Sequence, residues 1–250
     1  MTTTFLSGAE FDLPAYNDRP KTKYLICSTP RCGSTLLCGL AARTGTLGMP
    51  HEYLHLSQHG QVMIDRLLPG DAQVTLESYF DAVTRCRTTA NGVFGLKAHF
   101  NQAIPHFKSG FMAHYFGELK FIVVKRRDRL GQAISGVIAE QTGSWTSLEN
   151  QKASPVYDSQ ALETNIGSIL YQEFLWERFL EVNSFSFHTV FYEDLVENTH
   201  STLNSLASYL GEELGTFDPA MGANASGLTR QADATNVEWR QQYEDNFILV

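Results

Sequence analysis

Four short apolar runs punctuate the chain: Tyr24–Cys27, Val93–His99, Phe121–Val124 and Phe187–Tyr192. Runs of this length, rich in β-branched and aromatic residues and bounded by turn signals, predict strands covered on both faces, as in a parallel sheet. Between them the apolar positions recur at helical spacing. Leu36, Leu37 and Leu40 follow the first run, and Ser34 or Thr35 is placed to cap that helix. Leu76, Tyr79, Phe80 and Val83 mark a helix over 75–87, and Ile134, Val137 and Ile138 another over about 130–140. A long helix over 160–182 turns Ile166, Leu170, Phe174 and Leu175 to one face. One more runs over about 199–210 and stops at Gly211. Thr235-x-x-Glu238 reads as a capping box for a terminal helix bearing Val237, Trp239 and Tyr243. Strands alternating with helices predict an α/β fold, with a central, mostly parallel sheet flanked by helices.

The remaining stretches carry no period. Residues 1–20, with Pro14 and Pro20, read as an irregular arm lying on the domain or on a partner. Residues 43–50 form a Gly-rich loop, Thr142–Tyr157 a polar, mobile loop in which Trp145 stands alone, and a further loop runs from Glu212 to Arg230.

Composition narrows the class. A chain of 250 residues that is 43% hydrophobic buries one substantial core, so a single domain over 1–250 is expected. No run approaches the ~18 apolar residues of a membrane span. The N-terminal MTTTFLSGAEFDLP lacks the basic and apolar blocks of a signal peptide. A formal charge of −8 argues against nucleic-acid binding, which needs a basic face. Cys27, Cys32, Cys38 and Cys86 form no C-x-x-C pair and fit reduced thiols, so a cytoplasmic location is expected.

Against that acidic background, two basic loops stand at predicted strand ends. The first is Ser28-Thr29-Pro30-Arg31-Cys32-Gly33, running into Ser34-Thr35. A helix start after a glycine turn offers unpaired amides and partial positive charge, the hydroxyls of Ser28, Thr29, Ser34 and Thr35 add donors, and Arg31 adds a planar fork. This suits a phosphate-like anion. It is not the nucleotide-triphosphatase loop, because no lysine precedes Ser34. Nor is it a cysteine-phosphatase loop, because Gly33 and Cys38 stand where an arginine would follow Cys27 or Cys32. The second is Lys125-Arg126-Arg127-Asp128, followed by a helix carrying Ser135. Ligands of parallel α/β sheets bind at the carboxyl ends of strands, so this loop can face Arg31 across one crevice. Lys97 is a charge within an apolar run, placed either to meet an anion or at the strand's solvent end.

His51-Glu52-Tyr53-Leu54-His55 matches the zinc-protease string H-E-x-x-H. That chemistry needs both histidines in mid-helix, whereas Pro50 puts the string at a helix start or in a loop, so no metal is expected.

Taken in order, STPRCGSTLL, the Pro50–Tyr53 string, NGVFGLKAHFNQ, the segment Arg126–Ser135 and RQADATNVEW resemble the bacterial trehalose 2-sulfotransferase family. That resemblance implies a P-loop-like sulfotransferase architecture using 3′-phosphoadenosine-5′-phosphosulfate, with no metal. It implies that Ser28, Thr29, Arg31, Cys32, Gly33, Ser34 and Thr35 hold the 5′-phosphosulfate, and that Arg126 or Arg127 with Ser135 holds the 3′-phosphate. Arg230 would close over the nucleotide and Glu52 would be the general base, with Arg31 and Lys97 stabilising charge on the leaving oxygen. It further implies a carbohydrate acceptor, trehalose-like or a glycolipid, and a homodimer. Arg127 stands where the family commonly has proline, which leaves the choice between the two arginines open. A P-loop-type kinase, a zinc hydrolase at His51, Glu52 and His55, and a catalytically silent nucleotide-binding protein are the competing readings.

Overall fold

The structure is a computed structural model that describes residues 7–70, 73–146, 150–215 and 234–247. Its centre is a four-stranded sheet in the order β2-β1-β3-β4, formed by β1 (Thr22–Ser28), β2 (Val93–His99), β3 (Lys120–Lys125) and β4 (Phe187–Phe191). Every pairing is parallel, and Cys27 of β1 lies beside Ala98 of β2 and Val123 of β3. The strand ends therefore stand level. The chain leaves β1 in one direction to reach β2 and returns past it to β3, so the crevice of the sheet opens between the ends of β1 and β3.

The alternation of side chains along β1 sets the two layers. Tyr24 and Ile26 pack with Leu37, Leu40 and Ala41 of α1 (Ser34–Arg43) and with Leu203, Leu206 and Leu210 of a helix at Thr199–Leu210. Leu25 and Cys27 face the opposite layer. There they meet Tyr79, Phe80 and Val83 of the helix Leu76–Arg87, and Trp176 and Leu180 of the long helix Ser159–Val182. Burying a side chain of this size contributes roughly 1.5–3 kcal/mol, so these two layers dominate the stability. A third cluster joins the helix Arg129–Thr142 to the long helix and to the last helix, Ala234–Phe247, through Ile134, Val137, Ile169 and Trp239.

With a short helix at Gln61–Leu67, two at Phe100–Lys108 and Phe111–Phe116, and one at Tyr192–Glu197, the described helices in chain order are α1 to α10. Thus α2 is 61–67, α3 is 76–87, α4 is 100–108, α5 is 111–116 and α6 is 129–142. The long helix is α7, 192–197 is α8, 199–210 is α9 and the last is α10.

The architecture is the single α/β domain the sequence predicts, with several local differences. The N-cap of α1 is Gly33 in left-handed backbone, so Ser34 and Thr35 lie inside the first turn rather than capping it. Helix α10 already includes Thr235, which therefore does not cap it. In α7 the buried face is Leu162, Ile169, Trp176 and Leu180, while Leu170 and Phe174 are exposed. The long helix crosses two layers, and a stripe chosen by hydrophobicity alone misses the face that tertiary packing covers. Within the 212–230 loop, Arg230 lies outside the described residues. From Ser7 on, the described part of the arm lies on its own chain: Arg87 donates to the carbonyls of Gly8 and Phe11, and Asp12 pairs with Arg66 and Arg87.

Candidate active site

The loop after β1 turns sharply. Arg31 has φ 60° and Gly33 φ 90°, and a Cβ on Gly33 would lie 2.5 Å from the Tyr192 ring. Glycine is required there for both reasons, and a non-glycine residue held in left-handed backbone, as Arg31 is, marks stored strain at a functional turn. Helix α6 braces this loop from the side. Gln132, fully buried, donates to Thr29 Oγ1 at 2.9 Å and to the Pro30 carbonyl at 2.7 Å. One turn further on, Ser135 Oγ accepts from Arg31 Nε at 2.9 Å, and the Arg31 guanidinium also donates to the Trp145 carbonyl. Trp145 therefore does not stand alone, and Gln141 ties its loop down through both backbone groups of Val156.

The sequence-predicted anion residues are not all presented alike. Thr35, Arg31 and Ser135 are partly exposed at the crevice. Ser28 is buried, donating to the Ala98 carbonyl at 3.1 Å, and Cys32 is fully buried in the core. For Cys32 only the backbone can serve. The Ser28 carbonyl accepts from Trp176 Nε1 at 3.2 Å, which fixes the strand end to α7.

At the end of β3 the two arginines separate. Arg127 is exposed, forms a two-pronged pair with Asp194 at 2.7 and 2.8 Å, and covers the Phe191 ring. Arg126 turns inward over the Tyr192 ring, 4.9 Å from its centroid, and lies 3.5 Å from Asp128. Its Nε is buried with no hydrogen-bond partner among the described residues. Asp128 caps α6 by accepting from Gly131 N at 2.9 Å and pairs with Arg240 of α10 at 2.6 Å. Arg31, Ser135, Ile138, Thr142, Thr235 and Asn236 line a cleft of about 450 Å³, counting its open mouth.

On the other side of β1, the register places Lys97 beside Ile26. Gly95, two residues earlier, has the Tyr24 ring 2.5 Å from where a Cβ would be, which lets the strands and the Leu47–Pro50 loop close up. The 51–55 segment then crosses the edge of β2, with the Lys97 amide donating to the His51 carbonyl at 2.9 Å. This delivers Glu52 to Lys97. The two form a buried ion pair, Lys97 Nζ reaches Thr35 Oγ1 at 3.4 Å, and Gln102 Nε2 donates to Glu52 Oε2 at 3.0 Å. Lys97 thus meets an anion and does not stand at a solvent end. Burial alone would raise the Glu52 carboxyl, but the Lys97 charge, His99 and the bonds from Lys97 and Gln102 hold it well below the usual carboxylate range. Burial likewise depresses Lys97, and Glu52 more than offsets it, so the lysine stays protonated. His99, buried and near Lys97, is pushed down to about 4 and stays neutral.

The H-E-x-x-H string does not form a helix. His51 is in extended backbone, buried, with Nε2 3.0 Å from Ser7 Oγ, and it does not converge with His55 as a zinc protease requires. Gln132, Gln102, Tyr192 and Trp176 are site-shaping residues that sequence reasoning did not single out. Gln102 alone left a signal, standing three residues after His99 in the position of a capping-box partner.

Residues 23–246 match the family model described as Stf0 sulphotransferase. The chain is similar to a trehalose 2-sulfotransferase of Mycobacterium tuberculosis (strain ATCC 35801 / TMC 107 / Erdman), at 27% identity over 88% of this chain and 93% of the relative. A trehalose 2-sulfotransferase of Mycolicibacterium smegmatis (strain ATCC 700084 / mc(2)155) is 25% identical over 91% of this chain and 96% of its own. Among solved structures, the sulfotransferase domain of the Synechococcus PCC 7002 olefin synthase aligns with a TM-score of 0.44 at 15% identity, covering 93% of this chain and 98% of that one. The sulfotransferase domain from the curacin biosynthetic pathway aligns with 0.48 at 16%, covering 91% and 99%.

Proposed function

Because the chain belongs to the Stf0 sulphotransferase family, we propose that it moves a sulfuryl group from 3′-phosphoadenosine-5′-phosphosulfate to a hydroxyl of a carbohydrate, a trehalose-like disaccharide or a glycolipid. The observation that carries this reading is one chain of contacts, Glu52 to Lys97 to Thr35, which joins a carboxylate to the first turn of α1 through a buried cation. The donor set suits the nucleotide: the glycine turn at Gly33 has no space for a side chain, and Arg126 Nε is a buried donor with no partner among the described residues.

In this reading the amides at the start of α1, with Arg31, hold the 5′-phosphosulfate, and Arg126 with Ser135 holds the 3′-phosphate. Arg127 is committed to Asp194 and takes no part. The acceptor oxygen bonds to sulfur as the bond from sulfur to the phosphate oxygen breaks, and the acceptor's proton passes to Glu52. A carboxylate held by Lys97 is a weak base at rest. As negative charge grows on the leaving oxygen, Lys97 is drawn toward it, and the released carboxylate becomes basic when the proton must leave. Donor cation and base are thereby coupled. No step needs a metal.

A homodimer is part of the same proposal, and the exposed Leu170, Tyr171 and Phe174 of α7 are apolar surface for it to cover. Transfer of labelled sulfate from the nucleotide donor, screened over a panel of sugars and glycolipids that includes trehalose, tests the function. Transfer to trehalose or a related acceptor is expected. Tight donor binding with no transfer to any sugar would leave the silent nucleotide-binding reading in its place.

A further inference from the structure

The segment His51–His59, HEYLHLSQH, carries histidines at a spacing of four, which a regular helix would set in one row. The chain does something else. His51 turns inward to Ser7, and Leu56–Gly60 forms a single π-helical turn. Such wide turns are rare and frequently lie at functional sites. This one brings the His59 ring to 4.5 Å from that of His51 and 5.5 Å from that of His55. One ligand atom from each of Glu52, His55 and His59 then lies within 4.8 Å of the other two, and Glu52 Oε2 stands 3.8 Å from His55 Nδ1. His55 Nδ1 is buried and makes no hydrogen bond among the described residues.

Two imidazoles and one carboxylate are the donor set of open zinc sites, where a fourth position is left for water or another ligand. Ligands about 2.1 Å from a tetrahedral ion sit roughly 3.4 Å apart, so closing this set needs side-chain shifts on the order of 1 Å. Glu52 is ionised already. Its Oε1 faces Lys97, while Oε2, which accepts from Gln102, keeps a second lone pair for a metal. The Lys97 ammonium opposes a cation from across the carboxylate and limits the affinity.

We infer that Glu52, His55 and His59 form a site for a zinc-class divalent ion, and that its occupation switches transfer off by taking the carboxylate the acceptor's proton needs. The inhibitory half rests on the role of Glu52 proposed above; the metal site does not. Magnesium and calcium prefer all-oxygen sites and should not substitute.

The test starts with the metal-free chain titrated with zinc alone in a calorimeter, and with cobalt followed by visible absorption. One equivalent of zinc, tetrahedral cobalt bands and no response to magnesium are expected. His55→Gln and His59→Gln should each weaken zinc binding at least tenfold, with melting curves checking that both fold. Wild-type transfer should fall in step with zinc occupancy, while His59→Gln resists the same zinc concentration. Absence of zinc binding and of cobalt bands in the wild type overturns the site, and so does undiminished affinity in both variants. Zinc bound at one equivalent with transfer unaffected overturns the inhibition. Turnover of Glu52→Gln in metal-free buffer judges the role of Glu52 separately.

Discussion

Arg31 Nε donates to Ser135 Oγ at 2.9 Å, which ties the loop after β1 to α6 across the crevice between β1 and β3. Two residues 104 positions apart, each assigned to a different end of the nucleotide, are in direct contact. Under the proposed assignment, donor binding exchanges this bond for bonds to the ligand.

Arg31→Ala should weaken binding of the 3′,5′-bisphosphate product and lower kcat/KM, because charge-assisted hydrogen bonds of roughly 1.5–3 kcal/mol each are lost. That is on the order of tenfold to a hundredfold per bond. Calorimetry with the product nucleotide reads it directly, and unchanged affinity and turnover would remove Arg31 from the site.

Arg126 and Arg127 should behave differently. Wild-type chain should prefer the 3′-phosphorylated nucleotide over AMP by at least about tenfold, a preference worth ~1.4 kcal/mol or more. Arg126→Ala should abolish that preference. Arg127→Ala, which removes an exposed pair with Asp194 and a contact with the Phe191 ring, should keep it. A preference lost in Arg127→Ala and kept in Arg126→Ala would reverse the assignment.

Glu52→Gln should reduce turnover by roughly 10²–10⁴ while leaving nucleotide binding nearly intact, the range for removing a positioned acid–base group. It should also destabilise the fold, since Lys97 is left buried without its anion, a loss of about 3–5 kcal/mol for a broken buried pair. Glu52→Gln/Lys97→Met should recover much of that stability but none of the activity. Denaturant titration of the three variants checks this. A double variant less stable than Glu52→Gln would contradict the pairing.

The thiols of Cys27, Cys32 and Cys38 are enclosed, and burial pushes Cys38 up to about 12 and Cys27 well above its ordinary value. A disulfide reagent needs the thiolate. In native chain at pH 8 these three should react only through opening of the structure, with Cys86, which is partly exposed, reacting first. Rapid titration of Cys32 in the folded chain would show that the loop opens more readily than its packing allows.

The sequence determined the framework. Four apolar runs of strand length, separated by helix-period segments, leave little choice but a parallel α/β sheet, because fully buried strands advertise themselves by continuous hydrophobicity. It also determined the anion loop, since glycine, hydroxyls and arginine at a strand–helix junction are a local pattern. The pairings were beyond it. Lys97 as the partner of Glu52, Arg126 rather than Arg127 turned inward, and Trp176 rather than Phe174 buried in α7 all depend on elements distant in the chain. A lysine reads the same in sequence whether it meets a carboxylate or water. The strand register and the 51–55 crossing over the edge of β2 put Glu52 within its reach. For the histidines Pro50 already argued against a regular helix, but the outcome was not legible: His51 packs against Ser7 of the arm and the π-turn brings His59 beside His55. Side-chain chemistry was legible wherever it was set by neighbours in the chain. Tertiary packing decided it wherever a charge or ring had to choose among partners that only the folded sheet brings close.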